Sequence, residues 1–133
     1  MNSYPRREFV LRALAACGTP FVMPLASVEG YQKPHAGTAA ASYFGVRVDA
    51  ARTIGEAYVR QLGLDTSAES IRKASLSALE IIERASTSHN AITALEAAVR
   101  RDFQQGKSLQ LEGWIISRTE AELCALTLLP ATN

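Results

Sequence analysis

The chain has 133 residues and a formal net charge of +1, a length that suits one domain with a modest core. Within residues 1–12, Arg6, Arg7 and Arg12 stand against Glu8; the remainder is close to neutral, which argues against nucleic acid as a partner. Ala, Leu, Glu, Arg and Ile are common and aromatics are few, so the composition predicts an all-α domain, a small bundle of about four helices.

The chain opens with a short polar stretch ending in Arg6-Arg7, followed by Phe9, Val10 and Leu11 and then a mildly apolar run from Ala13 to Leu25. That is the layout of an export signal, and it is set apart from the fold as residues 1–29. Arg6, Arg7, Phe9 and Leu11 match the twin-arginine type of signal, which the twin-arginine translocase reads, with Pro5 in place of the usual Ser or Thr. The apolar run is interrupted by Gly18, Pro20 and Pro24 and is shorter than the roughly 20 residues a membrane-spanning helix needs, so no permanent span is expected. A cut is expected between Ala26 and Gly30. Leu14-Ala15-Ala16-Cys17 offers an alternative reading, a bacterial lipobox with Cys17 as the lipidated residue. Residues 30–45 hold Gly30, Pro34, Gly37 and an Ala-rich run without apolar period, and read as a flexible tether. The helical domain is expected over 46–133.

The first domain helix is predicted over Val46 to Leu62 by the spacing of Val48, Ala51, Ile54, Tyr58 and Leu62, with Gly63 closing it. Gly55 in its middle marks a close helix crossing, since glycine costs up to about 1 kcal/mol there relative to alanine. Thr66 and Glu69 have capping-box spacing, and Ile71, Ala74, Ala78, Ile82 and Ala85 form the inward stripe of a second helix from Ser67 to about Arg84. Ser86 to Asn90 is a loop rich in capping side chains. A third stripe of Ile92, Leu95, Val99 and Phe103 ends at Gly106. Lys107 to Glu112 alternates Leu109 and Leu111 with polar residues and reads as an extended connector that carries Trp114 onto the bundle.

The fourth helix starts at Ser117, whose spacing to Glu120 is that of a capping box, and Pro130 ends it. Ala121, Cys124, Ala125 and Leu128 line one of its faces and Leu123 and Leu126 the other. A helix apolar nearly all round must be covered nearly all round, either by the chain's own helices or by a partner. The expectation is a docking segment of Trp114, Ile115, Ile116, Leu123 and Leu126.

No nucleophile stands with a base and an orienting group, His35 and His89 lack companions at metal-ligand spacing, and no phosphate loop, haem-attachment or dinucleotide motif occurs. No catalytic residue and no cofactor of the chain's own are therefore expected. Cys124 reads as a packed small hydrophobe, and Glu80 with Glu83 as a solvated face.

The twin-arginine route commonly carries proteins that fold around a cofactor before crossing the membrane, which points to a partner that holds one. The arginine-pair signal before a short helical domain, the stretch Arg52-Thr53-Ile54-Gly55-Glu56-Ala57 and the segment Trp114 to Leu126 resemble the small, signal-bearing subunits of gluconate 2-dehydrogenase and related membrane-bound sorbitol and glucose dehydrogenases. The resemblance implies a non-catalytic accessory subunit in the periplasm, exported with a signal-less flavin or haem dehydrogenase subunit. The alternative is a free-standing periplasmic helical domain, lipid-anchored at Cys17.

Overall fold

The computed structural model describes residues 35–131. The expected export signal, with Arg6, Arg7, Phe9 and Leu11, and the candidate lipidation site Cys17 lie outside the described residues.

The domain is all-α apart from one small hairpin. In chain order it runs α1 (Ala36–Phe44), a 3₁₀ turn (Gly45–Arg47), α2 (Val48–Gln61), α3 (Ala68–Ala74), α4 (Leu76–Arg84), α5 (Ser88–Gln104), β1 (Ser108–Leu111), β2 (Trp114–Ser117) and α6 (Arg118–Leu126). α6 is the centre of the packing. It touches each of the other five helices, α2 most extensively. Ala121, Leu123, Ala125 and Leu126 have no exposed surface, and Glu122 and Cys124 almost none. The apolar helix is thus covered by the chain's own elements, each fully buried leucine contributing about 2 kcal/mol.

Small residues make that enclosure possible. Gly55 lies where α2 crosses α6: a methyl group there would be driven into the main-chain carbonyl of Cys124 and would stand 2.9 Å from the amide nitrogen of Ala125. The expected close crossing is present. Gly37 does the same for α1, where an added Cβ would lie 3.1 Å from the Leu129 carbonyl oxygen.

Of the tether expected over 30–45, residues 30–34 lie outside the described residues, and Ala36–Phe44 is corrected to a helix, α1, whose Gly37, Ala39 and Ala40 are buried. Its inward face is made of Gly and Ala, which leave no visible apolar period, while alanine is the strongest helix former. The domain therefore extends at least ten residues before the expected boundary at 46, to Ala36. Val46, read as the start of the first helix, is fully exposed on the 3₁₀ turn.

The second helix is broken in two at Ser75 (φ −122°, ψ 27°). A continuous helix would bond the Ala78 amide to the Ala74 carbonyl. Instead the Ala78 N–H donates to the Glu122 carboxylate (2.8 Å), and the Ala74 carbonyl accepts from the Tyr58 hydroxyl (3.4 Å). The cap at the start of α3 is Ser67 rather than Thr66, its hydroxyl accepting from the Ser70 amide. α5 is capped by Thr87 and turns its Ala91, Leu95, Ala98 and Asp102 inward. The predicted stripe is thus rotated by about one position, with Phe103 exposed.

Gly55→Ala tests the helix crossing by its sign. In an open helix the change gains up to about 1 kcal/mol, whereas forcing a methyl into fixed backbone costs about 1–3 kcal/mol or more. A lower urea midpoint is expected, with a net loss of about 2 kcal/mol. An unchanged or higher midpoint would mean that α2 and α6 do not meet there.

Candidate docking surface

The segment expected as a connector is a strand. β1 and β2 pair antiparallel with Leu111 opposite Trp114, Gln110 opposite Ile115, Leu109 opposite Ile116 and Ser108 opposite Ser117. Glu112 (φ 49°) and Gly113 (φ 84°) form the two-residue connection, both in the left-handed region that a type I′ turn requires. Side chains alternate between faces along each strand. Leu109, Leu111 and Ile116 pack on the core, and Ile115 stands with Gln110 on the outer face, 71% exposed. Trp114 shares the inner face with Leu111 but lies at the turn, beyond the edge of the core, and is 67% exposed.

The structure therefore divides the predicted docking set. Trp114 and Ile115 are adjacent and open to solvent, Ile116 is half-buried, and Leu123 and Leu126 are enclosed within α6. Leu123 and Leu126 are corrected from docking residues to core: the face they line is filled by the other helices, which leaves a partner no access. The other exposed large apolar side chains, Val46, Leu62, Leu76 and Phe103, are separated along the chain, and single apolar residues of that kind are ordinary on a surface. Trp114 and Ile115 are consecutive at the start of β2, directly after the turn.

The hairpin is held at its base by the start of α6. The Ser117 hydroxyl accepts from the Glu120 amide (3.0 Å) and the Glu120 carboxylate accepts from the Ser117 amide (3.1 Å), completing the predicted capping box. The Arg118 amide donates to the Lys107 carbonyl (3.0 Å), tying the two ends of the hairpin together.

Two buried carboxylates complete the frame, and neither was singled out from the sequence. Asp102 Oδ2 accepts from both the amide and the hydroxyl of Thr119 (2.7 Å each), so α5 supplies a second cap for α6. Glu122 accepts from the Ala78 amide with Oε2 and from Arg118 Nε with Oε1 (3.3 Å), while its main-chain carbonyl accepts from the Ser75 hydroxyl (3.1 Å). Both cap a helix other than their own. An acid inside an otherwise apolar stripe is the signal that could have found them.

Burial holds the Glu122 carboxyl above its ordinary value, outweighing the Ala78 hydrogen bond and the Arg118 guanidinium, which act the other way. Burial, then the Glu120 carboxylate, pushes the Cys124 thiol up to about 12, so it stays a packed thiol without thiolate character at neutral pH. Where α1, α2, α5 and the start of α6 meet, an open cleft of about 310 Å³ is lined by Tyr43, Phe44, Arg47, Glu96 and Glu120. Burial, then Glu120 and Glu96, raises the Tyr43 phenol. Among the described residues no three His, Cys, Asp or Glu side chains come together as a metal site requires, and no helix is long and apolar enough to cross a membrane. Comparison with protein families, curated proteins and solved structures found no match.

The buried Glu122 makes stability depend on pH in a stated direction. Its folded pKa is raised, so the folded domain retains this proton where the unfolded chain has lost it. Its contribution is greatest below the ordinary value of 4.5 and declines as pH rises through the raised folded value. Unfolding free energies of wild type and Glu122→Gln, measured across that range, should diverge in favour of the variant as pH rises. A constant difference, or divergence in the opposite direction, would contradict the cost assigned to burying this carboxylate.

Proposed function

We propose that the chain is a non-catalytic accessory subunit that supplies the export signal for, and docks onto, a periplasmic oxidoreductase whose flavin- or haem-bearing subunit lacks a signal of its own. The observation that carries this reading is the exposure of Trp114 and Ile115, side by side on a hairpin whose inner face is anchored in the core. Tryptophan is the residue type in which interfaces most often concentrate their binding energy. Neither side chain belongs to the domain's core, so most of their apolar area is available to a partner at little conformational cost. Export by the twin-arginine route follows from Arg6, Arg7, Phe9 and Leu11, and the likeness in layout to the small subunits of gluconate, sorbitol and glucose dehydrogenases supports the choice of partner. The enclosure of Leu123 and Leu126 moves the docking surface from the last helix to the hairpin tip, with Ile116 contributing at its margin.

Because Trp114 is exposed, Trp114→Ala should keep the helicity and melting temperature of the wild type while weakening association by about 2 kcal/mol, or roughly thirtyfold. The test is capture from periplasmic extract by tagged wild type and variant, with the retained protein identified. Recovery by the wild type of a signal-less flavin or haem dehydrogenase, and its loss in the variant at unchanged circular dichroism, is the expected result. Equal capture by the two proteins, or retention of no dehydrogenase by the wild type, would overturn the proposal.

A further inference from the structure

The end of α5, the first residue of α6 and the first turn of α4 enclose a second cleft, of about 170 Å³, away from the hairpin tip. Its polar wall is made by Arg101, Gln105, Lys107, Arg118 and Ser77, with Asp102 as the one acid. The backbone fixes how these come together. After Gln104 the chain turns through Gly106 (φ 68°). The Lys107 amide then bonds back to the Asp102 carbonyl (2.8 Å), and the Lys107 carbonyl receives the Arg118 amide (3.0 Å). Lys107 is thereby pinned between the helix it follows and the helix that begins beside it.

The charges do not cancel among themselves. Arg101 and Lys107 form no ion pair among the described residues, and Arg118 commits only Nε to Glu122, leaving its terminal nitrogens available. Asp102 opposes an anion here, but its Oδ2 is already taken twice by Thr119. Counting Glu122, which pairs with Arg118, three cations stand against two acids, a local excess of one positive charge around a small volume in a chain whose total charge is near zero. The dipole of α5 favours a cation at its C-terminal end and so accounts for Arg101. It does not account for Arg118, which sits at the N-terminal end of α6, where the dipole opposes a positive charge.

Guanidinium and ammonium donors beside a hydroxyl and an amide are the chemistry that recognises an oxyanion through charge-assisted hydrogen bonds. The volume suits a single tetrahedral group; clefts for drug-sized ligands begin at about 300 Å³. We propose that this cleft binds one phosphate-class oxyanion, held by Arg101, Lys107 and Arg118 with Ser77 and Gln105 as neutral partners. The site is independent of the docking proposal and shares no residue with it.

The test titrates inorganic phosphate into the full chain, follows amide resonances, and repeats the titration with sodium chloride at equal ionic strength. Phosphate should give saturable shifts centred on Ser77, Gln105, Lys107 and Thr119 with a dissociation constant on the order of millimolar, and chloride should not. An Arg101→Gln, Lys107→Gln double variant changes two exposed side chains; with helicity confirmed by circular dichroism, it should weaken binding about tenfold or more. Sedimentation with vesicles of phosphatidylcholine, alone or mixed equally with phosphatidic acid, separates the sources. Binding only to the acidic vesicles, and its loss in the double variant, assigns a lipid headgroup; saturable binding of inorganic phosphate without vesicle binding assigns a free ion. Identical shifts in phosphate and chloride, undiminished binding by the double variant, or binding to neither probe overturns the proposal.

Discussion

Enclosing α6 on all sides places one carboxylate, Glu122, where water cannot reach it, and much of the surrounding geometry answers that constraint. A buried charge needs hydrogen bonds beyond its ion pair, and Arg118 supplies only one. The second comes from the Ala78 amide, which is free to donate because the helix is interrupted at Ser75. The interruption in turn leaves the Ala74 carbonyl to the Tyr58 hydroxyl and sends the Ser75 hydroxyl to the Glu122 carbonyl. Among the described residues no buried side-chain nitrogen or oxygen lacks a partner. Asp102 repeats the device at the start of α6 itself, so α4 and α6 each begin on a carboxylate borrowed from another helix.

The same enclosure explains what is left outside. Six short helices can surround one another only where backbones approach closely, and Gly37, Ala39, Ala40, Ala51 and Gly55 provide those approaches. Larger apolar side chains at the periphery then have no place in the core. Trp114 and Ile115 project from the turn of the hairpin, anchored below by Leu109, Leu111 and Ile116. A rigid support with an exposed aromatic tip is what an interface needs in order to form without ordering a loop first. Docking proposed at the hairpin and anion binding proposed at the junction of α5 and α6 thus draw on different consequences of one packing solution.

Features carried by local chemistry were legible in the sequence. The Ser117–Glu120 capping box, the closing glycines at 63 and 106, the close crossing at Gly55 and the burial of Cys124 all follow from a few neighbouring residues. So did the all-α class. Features that depend on distant partners were not. α1 was hidden because its inward face is built from Gly and Ala, which the hydrophobic pattern does not register. β1 has only two apolar residues, and its Glu-Gly turn is a weaker signal than Asn-Gly or Asp-Gly. The break at Ser75 depends on a carboxylate that reaches the Ala78 amide from 44 residues away, and no local rule announces it. Trp114 was expected to dock with Leu123 and Leu126, and of the three it alone is exposed. Leu123 and Leu126 were not separable from it, because whether an apolar face meets the chain's own helices or a partner is decided by the fold as a whole.

The central claim, that Glu122 holds the start of α4 from inside the core, is tested most directly by native-state hydrogen exchange. Amides in the first turn of a helix lack an intrahelical acceptor and ordinarily exchange quickly. The Ala78 amide should instead exchange only through global unfolding, at the rate of the Leu123 to Leu126 amides at the centre of the domain. The Asn90 amide, capped by the exposed Thr87 at the start of α5, should exchange much faster. Exchange of Ala78 at the rate of Asn90 would contradict the account.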